Sequence, residues 1–251
     1  MKKLLALIMA LAMVVACFAG CGAKKGNTIV EGKLTMGTNA TFPPYEYTDD
    51  NGNIIGIDAE IAKAVADKLD LELVIKDMEF DSLLTAVQSN SIDIVFAGLT
   101  VTDERKEAVD FSETYAQGVQ VVIVPEDSKI KDIDGLADAK IGVQTGTTGD
   151  IYCTDEFGQE NVKQYQNGAL AVAALANKQI DCVVIDNEPA KAFVAANKGL
   201  KILETEYAVE DYAAAISKSN PELKEAVNKA MKELTEDGTI AEIIGKYIKA
   251  E

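Results

Sequence analysis

The sequence predicts an α/β protein of two lobes built alike, with two mainly parallel sheets joined by a two-segment hinge. Strand and helix signals alternate from Leu34 onward, the pattern of βαβ units. One segment recurs: Ala86-Val87-Gln88-Ser89-Asn90-Ser91-Ile92-Asp93-Ile94-Val95 aligns with Ala174-Leu175-Ala176-Asn177-Lys178-Gln179-Ile180-Asp181-Cys182-Val183. Each copy reads as a helix end, a polar turn, Ile-Asp and an apolar strand. Two β-rich stretches, Val119 to Val124 and Tyr212 to Ser217, sit where a chain would leave one lobe and return to it.

Ahead of the lobes, Lys2 and Lys3 precede the uncharged apolar run Leu4 to Ala16. That run falls short of the ~20 apolar residues a membrane-spanning helix needs, so residues 1–20 read as an export signal. Phe18-Ala19-Gly20-Cys21-Gly22 resembles the bacterial lipoprotein processing box, with Phe18 in place of the usual Leu. Cys21 is then the candidate lipidation site, and hydrocarbon chains rather than a helix would hold the protein at the outer face of a membrane. Residues 21–33 read as a tether.

The first lobe is expected over 34–119 and 208–251, the second over 120–207. Leu34 to Gly37 opens the first as a strand; Ile61, Val65 and Leu69 recur at helical spacing, and Leu71 to Ile75 is the next strand. Pro221 to Leu234 reads as a helix with Pro in its first turn, Leu223, Val227, Met231 and Leu234 on one face, and Gly238 beyond its end. An amphipathic stretch, Ile240 to Ile248, closes the first lobe. Cys153 is expected in a helix and Cys182 in a strand, either bridged or as two unpaired thiols.

Composition narrows the function. Lys and Arg number 24 against 41 Asp and Glu, a net charge of -17, which argues against nucleic acid and anionic membrane surfaces. The chain has no histidine, so Ser-His-Asp and Cys-His catalysis and His-ligated metals are excluded. A binding protein without metal or cofactor is expected, rather than an enzyme.

Ligands of open α/β sheets sit beyond the carboxyl ends of parallel strands, and three segments qualify. In Asp93 to Arg105 an apolar strand breaks at Gly98; Thr102 is placed to cap a helix, and Arg105, one turn in, can grip a carboxylate with its planar fork or face solvent. In Ile141 to Asp150 a strand runs into Gln144-Thr145-Gly146-Thr147-Thr148, where free N–H groups at a helix start make an anion site unless the threonines only cap. In Asp181 to Pro189 a strand ends on Asp186, which can neutralise an ammonium or cap the helix after Pro189. Phe42, in Thr38 to Tyr47, and Phe80 follow strands and can sandwich an aliphatic or cationic side chain, or pack in the core. Arginine for a carboxylate, aspartate for an ammonium and aromatics for a side chain together describe an α-amino acid.

From about Leu34 to Tyr247 the chain resembles the polar amino-acid-binding proteins of ABC importers, extracellular solute-binding family 3, of the type II periplasmic-binding-protein fold. The resemblance rests on Phe42-Pro43-Pro44-Tyr45-Glu46-Tyr47, on Gly98 to Arg105 with Asp110-Phe111-Ser112, and on Gly146-Thr147-Thr148-Gly149. It implies that Arg105 and the N–H groups of Thr100 and Thr148 hold the ligand carboxylate. Asp186, the Gly98 carbonyl and the Thr100 hydroxyl would hold the ammonium, with Phe42 and Phe80 flanking the side chain and lobe closure presenting a surface to a permease. Asn39 stands where basic-residue binders of the family often carry Asp, and Gln144 where a glutamine receptor would carry Lys. Arg105 against Asp186 and Glu46 favours arginine or lysine if Glu46 faces the site; if it faces solvent, glutamine or cystine fits as well. From other classes, an enzyme resembling cyclohexadienyl dehydratases would need Glu46 as its acid or base, and a sensory lipoprotein would bind without delivering.

Overall fold

In this computed structural model, residues 27–203 and 206–249 are described. The export signal, the processing box and Cys21 lie outside the described residues. Strand β1 (Lys33–Thr38) leads into a small antiparallel sheet of β2 (Thr41–Phe42), β3 (Glu46–Thr48) and β4 (Ile54–Ile55). Helix α1 (Ile57–Lys68) buries Ile57, Ile61, Ala62, Val65 and Ala66 and turns Lys63 and Asp67 outward, the amphipathic pattern of a helix laid on a sheet. Then come β5 (Glu72–Asp77), α2 (Leu83–Gln88), β6 (Ile94–Val95) and α3 (Asp103–Ala108).

The 17-residue strand β7 (Val109–Pro125) carries the chain away. It starts ten residues before the stretch read from sequence, because Phe111, Tyr115 and Val119 keep β-type residues on it throughout. Beyond it lie β8 (Ile141–Gln144), α4 (Thr148–Phe157), β9 (Val162–Tyr165), α5 (Gly168–Ala176), β10 (Cys182–Asp186), α6 (Asn187–Ala196) and β11 (Leu200–Ile202). The chain returns on β12 (Ala208–Ser217) and ends with α7 (Pro221–Glu236) and α8 (Thr239–Tyr247).

Strand order is β5-β1-β6-β12-β7-β10-β8-β9, with β11 on β7. The parallel ladders β5-β1-β6 and β10-β8-β9 are the two sheets of a two-lobed α/β fold. Between them β7 and β12 pair antiparallel from Val109↔Ser217 to Gln120↔Ala208, so hydrogen bonding runs unbroken from one sheet to the other. Register shifts between Tyr212 and Ala215 mark bulges that bend this pair.

The sequence repeat is also a geometric one. Asn90 and Lys178, equivalent in the alignment, both take left-handed φ, 55° and 59°. Asp93 accepts from Thr35 N at 2.8 Å and Asp181 from Lys140 N at 2.8 Å, each aspartate tying its turn to the neighbouring strand. The copies lead into β6 and β10, the two strands that flank the hinge pair. Cys153 on α4 and Cys182 on β10 are free and buried in the core of the second lobe; burial pushes the Cys153 thiol up to about 12, the signature of an inert thiol. No helix among the described residues is long and apolar enough to cross a membrane.

Candidate functional site

After β6 the chain breaks at Gly98, which needs its left-handed φ of 52°; a Cβ there would sit 2.9 Å from the Phe42 ring. Thr102 caps α3 as its sequence predicts, its hydroxyl accepting from Arg105 N at 3.1 Å. Arg105 is 6% exposed and donates from Nη1 to the Thr100 carbonyl (2.8 Å) and from Nη2 to the Gly146 carbonyl (3.1 Å). Its guanidinium lies 5.6 Å from the Phe80 ring centroid. Among the described residues it forms no ion pair, so a buried cation keeps donors for an anion.

Opposite, β8 ends on Gln144, whose amide donates to Asn39 Oδ1 at 3.0 Å. The Thr147 hydroxyl accepts from Asp150 N (3.3 Å) and donates to the Gln144 carbonyl (2.8 Å), the capping role left open by the sequence. Thr148 is different: its hydroxyl donates to Glu210 Oε2 at 2.9 Å.

Asp186 occupies the N-cap position of α6, which begins at Asn187 with Pro189 inside its first turn, yet its side chain makes no capping bond. It accepts instead from the Tyr212 hydroxyl and, at 2.9 Å, from Gln120 Nε2. Burial pushes its carboxyl up to about 6, against the hydrogen bonds that favour its charged form.

Glu46 is 1% exposed and packs against Asp58, in the first turn of α1. Asp58 Oδ2 accepts from Gly98 N (2.7 Å) and the Tyr115 hydroxyl (2.9 Å). Glu46 Oε2 and Asp58 Oδ1 have no further partner, a pattern one shared proton satisfies. Burial, then the Asp58 charge, holds the Glu46 carboxyl well above the usual range, so the proton sits on Glu46 and is directed at Asp58.

These side chains converge on one cavity. Asn39, Phe42, Glu46, Phe80, Gly98, Thr100, Arg105, Gln144, Thr147, Thr148 and Asp186 all line it, together with Ala97. The second rank of Asp58, Gln120, Glu210 and Tyr212 was not singled out in the sequence. No group of three or more His, Cys, Asp or Glu among the described residues could hold a metal ion.

Residues 34–250 match the model of the bacterial extracellular solute-binding proteins, family 3. The arginine-binding extracellular protein ArtP of Bacillus subtilis (strain 168) is 31% identical over 260 residues, covering all of both chains. An ancestral arginine-binding protein bound to arginine is 39% identical with a TM-score of 0.82, over 86% of this chain and 98% of that one. An ancestral arginine-binding protein bound to glutamine gives 40% identity and a TM-score of 0.83, over 88% of this chain and 100% of that one. With this match along nearly the whole length of its two-lobed fold, the chain belongs to the bacterial extracellular solute-binding proteins, family 3.

Proposed function

We propose that this protein is an extracytoplasmic receptor of an ABC importer that captures a polar amino acid, arginine or lysine before others, between lobes of residues 34–119 with 208–251 and 120–207. The observation that carries the reading is one cavity lined by a guanidinium that forms no ion pair among the described residues and by two buried carboxyls, Asp186 and Glu46. Arg105 with the N–H groups of Thr100 and Thr148 takes the ligand carboxylate; Asp186, the Gly98 carbonyl and the Thr100 hydroxyl take the ammonium. Phe42 and Phe80 flank the side chain, and Glu46 meets its charge. A ligand that touches both sides of the cleft adds affinity to the closed form alone, which drives closure and presents the docked lobes to the permease. Cys21 carries the lipid anchor, on the strength of residues 18–22. The arginine-binding relatives support a basic ligand.

A second reading, a neutral polar ligand such as glutamine, is favoured by the proton on Glu46, which leaves that carboxyl uncharged, and by the ancestral relative that holds glutamine. Thermal unfolding of the ligand-stripped mature chain against the twenty amino acids, cystine, ornithine and prephenate separates the readings. A ligand at 1,000 times its Kd adds about 4 kcal/mol, a shift of about 8–16 °C. Shifts confined to arginine, lysine and ornithine support the basic reading, and shifts with glutamine or cystine the neutral one. A shift with prephenate alone points to the enzyme alternative, and no shift with any amino acid overturns the receptor.

A further inference from the structure

Glu210 does not line the cavity, yet it touches the residues that do. It lies on β12, 5% exposed, with its neighbour Val209 turned outward at 59%. Its Oε2 accepts three hydrogen bonds: from the Thr100 hydroxyl (3.1 Å), the Thr148 hydroxyl (2.9 Å) and Gln120 Nε2 (3.0 Å). The same Gln120 nitrogen reaches Asp186 Oδ2 at 2.9 Å. Two carboxylates fix that amide with its nitrogen toward them, which leaves Gln120 Oε1 without a partner.

A hydroxyl has one proton and two lone pairs. Thr100 and Thr148 both spend their proton on Glu210, and Thr148 Oγ1 also accepts from Gln120 Nε2 at 3.4 Å, so what each oxygen has left to offer the cavity is acceptor capacity only. Asp186 beside them is an acceptor as well. An α-ammonium, with three donors, matches such a corner; a carboxylate or a carbonyl meets lone pairs and is repelled. Arg105 and the backbone N–H groups present the opposite polarity. We infer that Glu210 is a positioning residue that polarises the Thr100 and Thr148 hydroxyls across the cleft, making them ammonium acceptors and so fixing which way round an amino acid lies.

The inference rests on the amino-acid reading above, and its test separates the two. Kd is measured by calorimetry for L-arginine and for its desamino analogue 5-guanidinopentanoate, on the unvaried protein and on Glu210→Gln, whose amide can donate to the hydroxyls and free their protons. Expected is a loss of about tenfold for arginine, the scale of one charge-assisted hydrogen bond, with the analogue changed less than twofold. Parallel weakening of both ligands, or no change in either, overturns it. Thr148→Val serves where Glu210→Gln does not fold: removing one polarised oxygen must reduce the same ratio, and an unchanged ratio overturns the inference. If another amino acid binds in place of arginine, that acid and its desamino form make the pair. If none binds the unvaried protein, the receptor reading falls and the inference with it; if one binds and the ratio holds, only the inference falls.

Discussion

Gln144 Nε2 donates to Asn39 Oδ1 over 3.0 Å, so two buried amides meet across the cleft from opposite sheets. Asn39 is held at both ends of its amide: its Nδ2 donates to the Met78 carbonyl (2.9 Å), and its oxygen also accepts from Thr41 (2.9 Å). Asn39→Asp keeps the acceptor and loses the donor, leaving a carboxylate against the Met78 carbonyl. The unliganded protein should lose about 1–3 kcal/mol, read as a fall in Tm of ~2–4 °C per kcal/mol, while the ratio of arginine to glutamine affinity rises with the added charge. An unchanged melt would mean the Met78 bond contributes nothing.

Arg105 spends one donor on the Thr100 carbonyl and one on the Gly146 carbonyl, and its fork retains others. A lysine ammonium has three donors on one atom and cannot span these two carbonyls while also gripping a carboxylate in two parallel bonds. Arg105→Lys is expected to weaken amino-acid binding about 10–100-fold, checked by calorimetry, although the charge is kept. Equal affinity would remove the bidentate role.

Gly118, on the hinge strand β7, lies where any Cβ would overlap the Tyr212 hydroxyl and come within 2.7 Å of Asp186 Oδ1. Tyr212 is fully buried and packs edge-on against Tyr45 at 5.1 Å, so it has no room to yield. Gly118→Ala should cost about 1–3 kcal/mol by overpacking and weaken ligand binding by displacing Asp186. A crystal structure of the variant with Asp186 unmoved would refute this.

The first rank of the site is legible in the sequence because most of its members follow a strand end or open a helix, positions where periodicity stops and chemistry begins; Phe42 and Glu46, in the short strands β2 and β3, are exceptions. Thr102, three residues before it, marks Arg105 as one turn into a helix, and the apolar run Cys182 to Ile185 ends on Asp186. The second rank carries no such marker. Glu210 sits in Ala208-Val209-Glu210-Asp211-Tyr212, where hydrophobicity would place Val209 inside; instead Glu210 and Tyr212 share the buried face, and Glu210 meets the polar residues that line the cleft. Asp58 reads as a helix-dipole acid, and only the fold brings it to Glu46. The hinge is legible in part: β7 begins at Val109, just ahead of Asp110-Phe111-Ser112, which carries the resemblance but no strand signal of its own, and the bulges of β12 leave no trace in composition.

The Glu46 and Asp58 pair makes both stability and ligand choice depend on pH. Burial pushes the Asp58 carboxyl up to about 7 from an ordinary ~3.9, so the folded protein holds a proton that the unfolded chain gives up. Its stabilising contribution is full below about pH 4 and is lost as pH rises through about 7; Asp186, pushed up to about 6, acts in the same direction. The unliganded Tm should therefore fall between about pH 5 and 8, each proton contributing up to ~1.4 kcal/mol per pH unit. Asp58→Asn, which keeps an acceptor for Gly98 N and Tyr115, should flatten that slope in part, with Glu46 and Asp186 supplying the remainder. A cationic side chain beside Glu46 favours the charged carboxyl and expels its proton, whereas a neutral one leaves it in place. Arginine binding at pH 7 should then release a proton, seen as a dependence of calorimetric heat on the ionisation enthalpy of the buffer, and its affinity should rise with pH. Glutamine, if it binds, should show neither effect, and buffer-independent heats for arginine would place its guanidinium away from Glu46.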